Sequence, residues 1–132
     1  MKLSKNFSLN EMTKSQTALR RGIDNEPSND EIDNLRLLCE NVLQPVREHF
    51  GKPVNINSGF RSKALNTAIG GSTTSDHCKG MAADIEIAGV SNGNIAEWIE
   101  ENCNFRQLIL EFYTPGVAVS YTHLTLPTIY SV

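Results

Sequence analysis

The sequence predicts an α+β fold. Three observations carry this expectation: a long apolar stripe at helical spacing in the first half, short segments that alternate apolar and polar residues, and serine-capped helical stretches between them. The chain has 132 residues, enough for one domain with a single core and no need of disulfide staples.

Each element has a local cause. Ser8 and Glu11 have the spacing of a capping box, and Phe7 is placed to staple against Met12, so a helix is expected to start here. The segment from there to Gly22 is polar and basic (Lys14, Arg20, Arg21), and its composition predicts a surface arm. Ser28 and Glu31 repeat the capping-box pattern and open the main helix. Ile32, Leu35, Leu38, Cys39, Val42, Leu43 and Val46 follow at helical spacing and define its buried face, with Cys39 as a small core residue. Pro45 lacks an amide proton and crowds the carbonyl four residues back, which predicts a kink. Gly51 and Pro53 end the helix.

Residues 54–58 alternate and read as a strand, followed by Gly59-Phe60-Arg61-Ser62. Ser62 is placed to cap a short helix through Ile69, which Gly70 and Gly71 stop; Ser72, Thr73 and Thr74 make a polar loop. Residues 82–87 read as a strand with Ala82, Asp84 and Glu86 on one face and Ala83, Ile85 and Ile87 on the other. A turn over 89–93 leads to a short helix over 94–101, with Ile95, Trp98 and Ile99 inward. Residues 106–112 alternate again, with Leu108, Leu110 and Phe112 opposite Gln107, Ile109 and Glu111.

Composition excludes several functions. A net charge of −3 argues against a nucleic-acid partner, which calls for a basic patch. No apolar run approaches the ~20 residues that span a bilayer, and residues 1–6 lack the apolar core of a secretory signal, so no membrane partner is expected. Cys39, Cys78 and Cys103 are scattered and odd in number, which fits reduced thiols. A monomer made in the cytoplasm is expected.

The chemistry concentrates in Ser75-Asp76-His77-Cys78-Lys79-Gly80-Met81-Ala82-Ala83-Asp84. Gly80 lets the chain turn tightly, so that His77 folds back over the strand to face Asp84. An imidazole nitrogen and a carboxylate oxygen converging in this way suit zinc, which takes such ligands at about 2.0–2.2 Å. A catalytic zinc needs a third protein ligand and an open position for water. Arg61, at a strand end beside a glycine, is the other residue of note; its ordinary role is a solvated surface cation. The ordinary role of Ser75 is to cap a loop.

The pattern Ser-x-His-x-x-Gly-x-Ala-x-Asp, from Ser75 to Asp84, resembles the signature of the zinc D-Ala-D-Ala peptidases. That group holds D,D-carboxypeptidases, D,D-dipeptidases of vancomycin resistance and phage L-alanyl-D-glutamate endolysins. Ser58-Gly59-Phe60-Arg61-Ser62 also resembles the family's Ser-Gly-Tyr-Arg-Ser, whose arginine binds substrate. The resemblance, which covers about 7–116, implies a small antiparallel sheet with helices packed on one side, as in the hedgehog and D,D-peptidase domains. It implies Zn2+ on His77 and Asp84, and Arg61 and Ser75 holding a peptidoglycan stem peptide. It implies an acidic general base, for which Glu111 is the candidate and Glu86 a weaker one. It implies hydrolysis of D-amino-acid-containing peptides at the bacterial cell wall, and the missing signal leans towards a phage-type lysin.

The end of the chain departs from that pattern. In similar proteins a Leu-Ile-x-Glu-Phe strand, here residues 108–112, precedes a Trp-Val-His-Val-Ser strand whose histidine is the third ligand. No Trp-x-His is present, and Ala118 stands where the imidazole is wanted. All 12 basic and 15 acidic residues precede Val119, and the segment from Val119 resembles a translated sequencing adapter. The expectation is a zinc peptidase-like domain over 1–116, incomplete at its C-terminal end, and a non-native tail over 117–132. The competing expectation is a genuine last strand over 117–126 with His123 as the third ligand. Two further readings stay open: a non-catalytic module that binds stem peptides through a degenerate metal site, and a cysteine hydrolase built on Cys78.

Overall fold

The computed structural model describes residues 1–111 and 116–120 of the chain. The elements, in order, are β1 (Lys2–Ser4), β2 (Phe7–Ser8), α1 (Leu9–Thr13), α2 (Gln16–Arg21), α3 (Asn29–Leu38), a π-helical turn (Cys39–Leu43), α4 (Gln44–Phe50), β3 (Asn55–Ser58), α5 (Lys63–Ala68), a 3₁₀ turn (Asp76–Lys79), β4 (Ala82–Glu86), α6 (Asn92–Asn102), β5 (Gln107–Glu111) and β6 (Gly116–Ser120). The α+β class follows, with a four-stranded antiparallel sheet in the order β3-β4-β6-β5 and a small β1–β2 hairpin.

The serines cap their helices as expected. The Ser8 and Ser28 side chains each accept from the N3 backbone, the Glu11 and Glu31 side chains reach back in full capping boxes, and Ser62 accepts from Leu65. Phe7 and Met12 are both buried in the core. Pro45 does not simply bend a regular helix. A π-helical turn precedes it, which places the proline in the first turn of α4, where its missing amide proton breaks no bond of that helix.

Three elements differ from the sequence reading. Residues 16–21 are a short helix rather than a surface arm: Ser15 caps it, Gly22 closes it with φ +65°, and Ala18 is buried. Helix α6 begins two residues earlier than expected, because Ser91 is its N-cap and Asn92 and Gly93 lie inside it. The β1–β2 hairpin was not anticipated; Gln44 anchors it, accepting from Ser4 Oγ at 2.8 Å and from the Asn6 amide at 2.9 Å. Trp98 is half-buried and stacks on His49 with ring centroids 4.6 Å apart. Phe112 and residues 121–132, His123 among them, lie outside the described residues.

One face of the sheet carries the core. Ala83, Ile85, Ile87, Leu108, Val117 and Val119 are at most 3% exposed and join the stripe that runs through α3, the π-helical turn and α4 (Leu35, Leu38, Val42, Val46) and Ile95 and Ile99 of α6 in one cluster. Among the described residues the helical layer therefore covers one side of the sheet, and Asp84 lies on the other.

Candidate active site

Strand β4 carries Asp84 to the open face by simple alternation, since its neighbours Ala83 and Ile85 are fully buried on the other side. His77 arrives on the 3₁₀ turn before it. Ser75 caps that turn by accepting from the His77 amide, and Gly80 ends it with φ +75°, a conformation open to glycine at little cost. A Cβ at Gly80 would press on the Glu31 carbonyl and Leu35, so the turn lies directly on α3.

The loop after β3 is clamped to the same turn. His77 Nδ1 lies 2.7 Å from the Gly59 carbonyl, and the Arg61 amide donates to the His77 carbonyl at 3.1 Å. Gly59 must be glycine, because a Cβ there would overlap the Met12 carbonyl. That carbonyl accepts from the Phe60 amide at 2.7 Å. Asn25 completes the clamp, donating to the Thr13 and Phe60 carbonyls and accepting from the Ser62 amide at 2.7 Å. Asn25 sits in a loop without periodicity, so no sequence signal marked it.

The result is a cleft of about 480 Å³ that gathers four of the five residues singled out from sequence: Arg61, Ser75, His77 and Asp84. Arg61 Nη2 donates to Ser75 Oγ at 3.3 Å. Its Nε is buried with no hydrogen-bond partner among the described residues. His77 Nε2 stands 3.5 Å from Asp84 Oδ1, with the two side chains 11% and 36% exposed. The fifth, Glu111, ends β5 opposite Gly116. The register puts it two residues along and two strands across from Asp84, roughly 12 Å between Cα atoms by ordinary sheet spacings. Glu86 lies two residues beyond Asp84, opposite Asn55 and outside the cleft lining. Asp76, Arg106 and Gln107 also line the cleft and were not singled out from sequence.

The His77–Asp84 geometry has a chemical consequence. A carbonyl oxygen only accepts, so Nδ1 carries the proton toward Gly59, and in the neutral ring Nε2 turns a lone pair toward a carboxylate. In that form two acceptors face each other at 3.5 Å, and a cation between them, a proton or a metal ion, satisfies both. Two zinc ligands at about 2.1 Å in a tetrahedral arrangement stand about 3.4 Å apart, so the pair fits two corners of such a site. The Gly59 carbonyl on the far ring nitrogen is the usual outer partner that fixes a ligating imidazole. No group of three or more His, Cys, Asp or Glu able to hold a metal occurs among the described residues. Directly across β6 from Asp84 the register places Ala118, which lines the cleft with a methyl group.

Cys78 is poorly suited to nucleophilic chemistry. Burial pushes its thiol up, with Arg61 acting in the opposite sense, and a protonated thiol is a weak nucleophile. The ring of the adjacent His77 is engaged with Gly59 and Asp84 instead. All three cysteines are free. No helix among the described residues is long and apolar enough to cross a membrane.

The model of the Peptidase M15 family matches residues 5–123. The zinc D-Ala-D-Ala carboxypeptidase of Streptomyces albus G is 46% identical over 44 residues, a stretch covering 33% of this chain and 17% of that protein.

Proposed function

This chain belongs to the peptidase M15 family, and from that membership we propose that it hydrolyses peptide bonds in peptidoglycan stem peptides containing D-amino acids, in the cleft of Arg61, Ser75, His77 and Asp84. The observation that carries this reading is the 3.5 Å approach of His77 Nε2 and the Asp84 carboxylate, the spacing of two zinc ligands. Zinc would be held by His77 Nε2 and Asp84; when bound it lowers the pKa of its water and polarises the scissile carbonyl.

The chain's own residues supply the rest. Gly59 holds the imidazole in one tautomer. Arg61 offers its planar fork to a substrate carboxylate, and its Nε, which has no partner among the described residues, is a donor that a substrate oxygen would satisfy. Ser75 orients that fork through Nη2 and adds a hydroxyl at the same wall. Glu111 is our candidate to accept the proton of the attacking water.

Ala118 opposite Asp84 favours a second reading, a module that binds stem peptides and does not cut them. It also bears on the chain end: with 117–132 foreign to the natural protein, the natural strand would bring the missing imidazole. A continuous genomic read through Val132 would refute that origin of the tail.

Zinc content after dialysis, measured alongside muropeptide release from purified sacculi, tests the reading. The chain as given is expected to retain zinc weakly and turn over slowly, and Asp84→Asn and His77→Ala to abolish both. Turnover that survives a chelator and both substitutions sinks the metallopeptidase proposal.

A further inference from the structure

A second guanidinium lines the cleft beside that of Arg61. Arg106, just before β5, donates from Nη1 to Asp76 Oδ1 at 2.8 Å. The Asp76 side chain is 12% exposed and that of Arg106 52%, so the carboxylate is set in the wall while the guanidinium faces solvent. Lys79 Nζ lies 3.9 Å from the same Oδ1, so two of the described cations share that carboxylate oxygen.

Topology puts both arginines at one end of the sheet. Arg61 follows β3, whose Ser58 pairs with Asp84, and Arg106 precedes β5, whose Gln107 pairs with Ser120 opposite Ala82 at the start of β4. The edge strands β3 and β5 lie three inter-strand spacings apart, about 14 Å, and the two guanidiniums reach from them to consecutive residues, Ser75 and Asp76. Asp84, with His77 against it, belongs to the strand pair between them.

We infer that Arg106 is a specificity-determining residue: a second carboxylate anchor that makes the cleft prefer peptides bearing two carboxylates, one at the C-terminus for Arg61 and one within the chain for Arg106. The inference rests on reading the cleft as a stem-peptide site. A guanidinium already oriented by Asp76 gives up less side-chain freedom when a second carboxylate arrives, and it presents five N–H groups in all. If the Arg106–Asp76 pair merely stiffened the wall, its loss would weaken all peptides alike.

Isothermal titration of the full chain separates these cases. The probes are a synthetic tetrapeptide containing D-amino acids with both carboxylates free, and the same peptide with its internal carboxylate amidated. Wild type is expected to bind the diacid about fivefold tighter, as suits a partly exposed charge pair. Arg106→Gln is expected to erase that ratio, binding both peptides as wild type binds the amide, while Arg61→Gln weakens both and preserves the ratio. Equal binding of the two peptides by wild type, or a ratio that persists in Arg106→Gln, overturns the inference and leaves the cleft a peptide site. Failure of wild type and both variants to bind either peptide overturns the stem-peptide reading itself, and this inference with it.

Discussion

The two faces of β4 differ in almost every respect although they share five residues. Ala83 and Ile85 are wholly buried, and Ile87 just beyond the strand is 3% exposed, all within the core cluster. Asp84, between them in sequence, keeps 36% of its side chain open and meets an imidazole instead of a hydrocarbon. A strand period of two places stability on one side and chemistry on the other. Each face is therefore expected to tolerate changes that destroy the role of its neighbour.

The sharpest test of that separation is Ile85→Ala. Removing a fully buried side chain at the sheet–helix contact is expected to cost about 4 kcal/mol, read as a fall of more than 10 °C in melting temperature. Asp84→Asn, one residue away, is expected to move stability by less than about 0.5 kcal/mol, as surface changes do, while losing zinc. Equal destabilisation by the two would dissolve the distinction between the faces.

Next in size is Ala118→His, which supplies an imidazole directly across from Asp84. Zinc affinity is expected to rise about 100-fold, equivalent to roughly 2.7 kcal/mol, measured by competition with a chelator, with sacculus digestion rising in parallel. Tight zinc without turnover would favour the binding module.

Gly80→Ala is expected to break the separation where it is weakest. Its φ of +75° and the nearby Glu31 carbonyl make a Cβ cost about 2 kcal/mol. Because Gly80 ends the turn that carries His77, zinc binding should suffer together with stability. A stable variant with unchanged zinc affinity would show that the turn adapts independently of α3.

A last test lies in the thiols. Burial pushes Cys39 up to about 12 and Cys103 to about 11 from 9.0. The folded chain thus keeps protons that the unfolded chain releases, so this contribution to stability is complete below pH 9 and fades as pH rises through 11 and 12. Urea midpoints taken at pH 8 and pH 10.5 should fall, and the fall should shrink in Cys39→Ala.

What sequence made legible was local. Ser8, Ser28 and Ser62 announce their helices through spacing alone, and the stripe from Leu35 to Val46 is buried throughout on its apolar positions. His77 and Asp84 were readable because a glycine turn and a strand of period two leave their side chains one arrangement. Helix α2 was hidden because a six-residue polar segment has no periodicity to show, only caps. The Asn25 clasp and the Arg106–Asp76 pair were hidden for another reason: their partners lie tens of residues away, and only chain topology joins them.

The π-helical turn at Cys39–Leu43 has a consequence for how this helix tolerates length changes. A π turn holds one residue more than an α-helical turn of the same span, so deleting one residue there would leave an ordinary α-helical turn, with Gln44 still on the amino-terminal hairpin it anchors and Val46 still in the core. The same deletion inside α3 or α4 has no such slack and would swing everything beyond it about a quarter-turn around the axis. The irregular turn takes up a spare residue without turning the two halves of one rod away from their common interior.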